Sequence, residues 1–147
     1  MPSLTRDGGN SSEHFSWPVR VYYEDTDAGG IVYYANYLRF MERARTEYLR
    51  SVGVEQDAWL ARQGLQFVVR RVAVDYRKPA RFNDALRVSV RVDTVRRASV
   101  VFGQAVRHVE QPDALVTASV QVACVDAETG RPTPIPKMLT EAMQGER

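Results

Sequence analysis

Beyond Gly64 the chain changes its apolar period and does not change back. Leu86, Val88, Val90 and Val92 alternate with Arg87, Ser89, Arg91 and Asp93, the period of two that marks a half-buried strand. Val72, Val74 and Tyr76 alternate with Arg71, Asp75 and Arg77; Val100 and Phe102 begin another run; and Val116, Ala118, Val120, Val122 and Cys124 alternate with Thr117, Ser119 and Gln121. Residues 79–84, 96–98 and 111–113 supply turns. Connections this short predict antiparallel hairpins, because a parallel crossover needs about a dozen residues or more. Such a sheet must bury one face, and the sequence offers a single long helix to cover it.

That helix is written into Tyr37, Met41, Ala44, Tyr48 and Val52, with Ala35, Leu38 and Leu49 widening the stripe and Gly53 ending it. A short strand is expected at residues 19–23, and a second, short helix at residues 55–63, closed by Gly64. Residues 129–137 carry three prolines and end the sheet, leaving at most a marginal helix in the last ten residues. The expected division is a leader at 1–16, one domain at 17–137 and a tail at 138–147. The fold class is α+β. One helix cannot cover five strands, so a second subunit is expected to cover the remainder.

A chain of 147 residues suits one domain, and Lys+Arg of 20 against Asp+Glu of 18 leaves a net charge of +2. That balance argues against a nucleic-acid partner. All basic residues except Lys78 and Lys137 are arginine, which suits phosphate but is equally a matter of composition. Cys124 is the only cysteine, so neither an intrachain disulfide nor a zinc cluster of the cysteine type is expected, and a cytoplasmic location fits. The first sixteen residues lack an apolar signal core, and no run approaches the ~18 apolar residues of a membrane span. His14, in the leader, is not expected to be catalytic.

Asp25-Thr26-Asp27-Ala28-Gly29-Gly30 delivers the chain to the long helix. A carboxylate just before a helix N-terminus combines a base or nucleophile with backbone N–H groups able to hold a developing oxyanion. The alternative is a structural Asx turn. Gly29 and Gly30 would either let a substrate approach the backbone or satisfy the turn itself.

The stretch from Val21 through Glu24-Asp25-Thr26-Asp27 and Gly29-Gly30-Ile31-Val32-Tyr33, with Ala35-Asn36-Tyr37, Met41 to Glu47 and Val74 to Ala80, resembles the hot-dog-fold acyl-CoA thioesterases. The likeness is greatest to their Tol-Pal-associated (YbgC-type) branch, with 4-hydroxybenzoyl-CoA thioesterases as near relatives. The resemblance implies a five-stranded antiparallel sheet wrapped around one long helix, assembly as a homodimer or homotetramer with active sites at a subunit interface, an acyl-CoA substrate, no cofactor and no metal. It implies Asp27, not Asp25, as the catalytic carboxylate, acting as general base or as nucleophile, and the backbone N–H of Tyr34 as the oxyanion donor. Gly29, Gly30, Arg96 and Arg97 would bind substrate, the arginines through the phosphates of coenzyme A, the alternative for the arginines being a solvated turn. Tyr34 stands where many YbgC-type sequences have histidine, so a proton-shuttling role there is not carried over. His108 reads as a strand-end polar residue, and Glu42 and Glu47 as partners of Arg45 and Arg43 on the helix. Rival readings are an acyl carrier protein thioesterase and a non-catalytic acyl-binding or scaffold protein with envelope partners.

Overall fold

The computed structural model describes residues 15–145. In chain order these form β1 (Phe15–Arg20), a single 3-10 turn (Tyr23–Asp25), α1 (Asn36–Ser51), a π-type turn (Gln56–Leu60) continued by α2 (Ala61–Gln63), β2 (Leu65–Tyr76), β3 (Ala85–Val95), β4 (Ser99–His108), β5 (Ala114–Asp126) and α3 (Lys137–Gly145). The strands make one antiparallel sheet in the order β1-β3-β4-β5-β2.

α1 forms as expected. Tyr37, Phe40, Met41, Ala44, Tyr48 and Leu49 fall on one face and are buried there, against Leu86, Val88, Val90 and Val92 of β3 and their neighbours. Gly53, at φ +98°, takes the left-handed conformation that closes the helix, and Val54 N–H returns to Leu49 C=O. α1 also solves a topological problem. β1 and β2 are the two edges of the sheet and run in the same direction, so α1 is the crossover that carries the chain between them.

Four expectations are corrected. The first strand lies at Phe15–Arg20 rather than 19–23, so Phe15 and Ser16 belong to the sheet; the rest of the expected leader, His14 included, lies outside the described residues. Tyr22 and Tyr23, which looked like strand residues, are exposed on the turn that follows. The hairpin reading holds for β3–β4 and β4–β5 but not for β2–β3: β2 pairs with β5, and residues 77–84 cross from one side of the sheet to the other. The tail, finally, is a docked helix, with Leu139 and Met143 buried in the core.

β2 reaches further back than its alternation showed. A register shift between Val69 and Arg71 inserts one residue, after which Val72, Val74 and Tyr76 resume the inward face begun by Leu65, Phe67 and Val69. α1 leans toward the other edge, over β1 and β3, and leaves this stripe uncovered: Val69 is 49% exposed, Val72 38% and Tyr76 43%. An edge strand that presents apolar side chains on its inner face is an incomplete core.

Candidate active site

The acidic turn is a stitched loop. Asp27 N–H donates to Ile31 C=O at 2.9 Å, Gly30 N–H returns to Asp27 C=O at 3.1 Å, and Thr26 bridges Val32. Its outer limb is tied to the β2–β3 crossing, with Ile31 opposite Arg81, Val32 N–H donating to Ala80 C=O and Phe82 N–H to Gly30 C=O. The crossing segment thus serves as the platform on which the loop rests. Gly30 sits at φ +80°, where a side chain would be strained, so the turn itself requires this glycine.

The two aspartates do different things. Asp25 is buried, 6% exposed, and its carboxylate accepts from Tyr22 N–H at 2.9 Å and from Asn36 Nδ2 at 2.6 Å. It clasps the start of α1 to the strand exit, while its C=O accepts from Tyr33 N–H. Asp27 is exposed; one oxygen, Oδ1, accepts from Gly29 N–H at 2.8 Å, and among the described residues the other oxygen has no partner. The Asx turn and the free carboxylate oxygen are therefore the same residue seen from two sides. A Cβ at Gly29 would lie 3.4 Å from Asp27 Oδ1, an ordinary contact, so the turn does not itself demand glycine there.

Tyr34 lies in the turn before α1, and no described residue accepts its N–H. Its C=O accepts from Tyr76 Oη at 3.2 Å, and its ring meets Tyr33 and Tyr76 with centroids 4.9 and 6.1 Å away. Tyr37 completes the cluster: its ring lies 5.8 Å from Tyr76 and its hydroxyl accepts from Ala80 N–H at 2.9 Å. Burial pushes the Tyr37 and Tyr76 phenols above their ordinary value, which leaves both protonated near neutrality. By its sequence pattern Tyr76 is only a strand residue. Its register opposite Val116, at the end of β2 beside the crossing, is what brings it to the site.

Arg96 and Arg97 sit on the β3–β4 hairpin, at the opposite end of the sheet from Asp27. β3 begins beside the Asp27 platform and runs eleven residues to reach that hairpin, roughly 30 Å away. Within one chain the structure does not bring the arginines to the acidic turn. Glu47 pairs with Arg50, at 2.6 Å, rather than with Arg43, and Arg50 continues to Glu55 at 2.7 Å. Arg45 is largely buried, donates to Gln104 Oε1 at 2.9 Å and feels the charge of Glu42; burial lowers its pKa below the ordinary value. His108 lies at the Asp27 end, 3.9 Å from Asp84. Among the described residues no three His, Cys, Asp or Glu side chains form a metal-binding group, and no helix is long and apolar enough to cross a membrane.

A cavity of about 90 Å³ opens farther along α1. Glu42 and Arg45 form its helical wall, Phe67 and Val69 its side toward the β2 edge, and Ile135 and Met143 its wall from the tail. Glu42 is eight residues beyond Tyr34, roughly 12 Å along the axis.

The family model described as "Thioesterase-like superfamily" matches residues 21–143. The chain is 48% identical over 128 residues to the acyl-CoA thioesterase YbgC of Haemophilus influenzae, covering 87% of this chain and 93% of that protein. Among solved structures, a probable thioesterase from Bartonella henselae is 35% identical with a TM-score of 0.76, covering 82% of this chain and 98% of that one. A 1,4-dihydroxy-2-naphthoyl-CoA thioesterase from Synechocystis superposes with a TM-score of 0.82 at 20% identity, covering 88% of this chain and 95% of that one, a likeness of fold alone.

Proposed function

The chain belongs to the thioesterase-like superfamily and is a thioester hydrolase with the hot-dog fold, and we propose that it hydrolyses acyl-CoA to free acid and coenzyme A with Asp27 as its catalytic carboxylate. The observation that carries this reading is a carboxylate with one oxygen fixed by Gly29 N–H and the other free, on a loop stitched to the approach to α1, where Tyr34 N–H also lacks an acceptor. Two balanced routes are open to it. As a base, Asp27 takes a proton from water while the water oxygen bonds to the thioester carbon; the tetrahedral oxyanion accepts from Tyr34 N–H, and on collapse the C–S bond breaks and the departing thiolate takes the proton. As a nucleophile, the carboxylate oxygen bonds to that carbon and expels the thiolate, leaving an anhydride that water then cleaves. The YbgC of Haemophilus influenzae, named an acyl-CoA thioesterase, supports the choice of acyl-CoA.

The working unit in this reading is at least a homodimer. The uncovered stripe of Val69, Val72 and Tyr76 supports pairing through the β2 edge. Antiparallel pairing of two β2 strands would set the hairpin end of one subunit beside the Asp27 end of the other. Arg96 and Arg97 then meet the coenzyme A phosphates of the partner's site, which they do not reach in their own. A cytoplasmic location remains the reading that suits a lone cysteine, buried as Cys124 is.

Release of free thiol across a panel of acyl-CoA chain lengths tests the proposal, and thiol release is the expected result. Hydrolysis of acyl carrier protein thioesters in preference to acyl-CoA would substitute the carrier-protein reading. Binding without thiol release at any length would substitute the scaffold reading.

A further inference from the structure

The cavity beside α1 is closed on one side by the C-terminal segment, and this closure is built into the fold. Thr133 N–H donates to Cys124 C=O at 2.9 Å, Ile135 N–H to Arg97 C=O at 2.9 Å, and the following turn of α3 is set by Leu139 and Thr140 N–H to Pro136 C=O. Leu139 and Met143, one helical turn apart, are each 1% exposed. They divide their work. Met143 lines the cavity with Ile135, whereas Leu139 anchors α3 in the core without lining it. The side toward β2 is the open one, since Val69, half-exposed, belongs to its lining. A ligand entering from the β2 edge would run along α1 and stop at the tail.

Resting on the acyl-thioesterase reading above, we propose that α3 is the end wall of the acyl-binding cavity and that Met143 sets the length of acyl group it admits. About 90 Å³ is less than the roughly 150 Å³ of an apolar cavity that takes up benzene. With Met143 in place the space beside the tail is small, so the tail limits how far an acyl chain extends past the β2 edge. An unbranched thioether fills an irregular space well, and its truncation removes three heavy atoms at that wall.

The test measures kcat/KM for a series of straight-chain acyl-CoA thioesters with wild type, Met143→Ala, Met143→Phe and Leu139→Ala. One methylene in a fitted pocket is discriminated by about 10- to 200-fold. Met143→Ala should raise the ratio of longer-chain to shorter-chain kcat/KM by at least about tenfold, and Met143→Phe should lower it. Leu139→Ala is the control for simple loosening of α3: it should lower the melting temperature but leave the ratio unchanged, because a loss of folded protein divides out. An unchanged ratio in both Met143 variants while wild type releases thiol would overturn the proposal, as would an equal shift from Leu139→Ala. Absence of thiol release from wild type at every length would instead refute the hydrolytic reading. Equilibrium binding of the same thioesters to the same variants would then decide the wall by the same length ratio.

Discussion

Replacing Asp25 with alanine should unfold the site before it touches the chemistry. The carboxylate is 6% exposed and accepts two hydrogen bonds, from Tyr22 N–H and Asn36 Nδ2. Hydrogen bonds to a charged group contribute about 1.5–3 kcal/mol each, and a buried donor left without its acceptor loses the full amount. Allowing for water that enters the vacated space, the loss is about 3 kcal/mol, toward the lower end of the sum. For a chain of this size each kcal/mol moves the melting temperature by about 2–4 °C, so Asp25→Ala should melt about 6–12 °C below wild type. Thermal unfolding by circular dichroism reads this directly. A shift under about 3 °C would mean that the clasp between the strand exit and α1 is not a load on the fold, and that Asp25 is free to share in catalysis.

Three further outcomes follow from the same geometry. Val72→Asp puts a charge into the exposed inner stripe of β2 and should convert the proposed dimer to monomer in sedimentation, with activity lost in parallel; an unchanged mass would refute pairing through this edge. Arg96→Ala with Arg97→Ala should raise KM for acyl-CoA while leaving kcat nearly unchanged. Mixing that variant with Asp27→Asn should restore activity if the arginines serve the partner's site, because one site of each mixed dimer is then intact; failure to restore it would place them in cis or outside the site. Burial raises the Tyr37 pKa above its ordinary value near ~10, so its contribution to stability is complete below that pH and is lost as pH rises through the folded-state value. Phenolate absorbance at high pH should show Tyr37 ionising together with unfolding, and early ionisation in the folded protein would contradict its burial.

What was legible in the sequence was local. The stripe from Tyr37 to Val52 and the stop at Gly53 placed α1 within a residue of its observed ends, Asn36–Ser51, because period and terminator agreed. β3 and β5 read well because each sends alternate apolar side chains into the core. β1 was displaced because Pro18, tolerated at an edge, obscured a strand that among the described residues pairs only with β3, while exposed Tyr22 and Tyr23 imitated one. The first half of β2 was lost because the bulge after Val69 breaks strict alternation. Pairing of β2 with β5 is non-local and leaves no mark on either segment. At the candidate site, Asp27, Gly29, Gly30 and Tyr34 stand in one motif that the sequence displays; Tyr76 and Met143 reach their places only through the sheet order and the docking of α3. The spacing of Leu139 and Met143 by four residues was the one signal available for the tail helix.

The most direct measurement is thiol release from acyl-CoA by Asp27→Asn beside wild type. The amide keeps an oxygen to accept from Gly29 N–H and sits at an exposed position, so the melting temperature and the binding of substrate should be unchanged. A carboxylate that moves the proton contributes about 10²–10⁴ in rate, and turnover should fall by at least about 100-fold. Turnover within about tenfold of wild type, in a variant that melts where wild type does, would show that Asp27 is the Asx turn alone and that another group performs the hydrolysis.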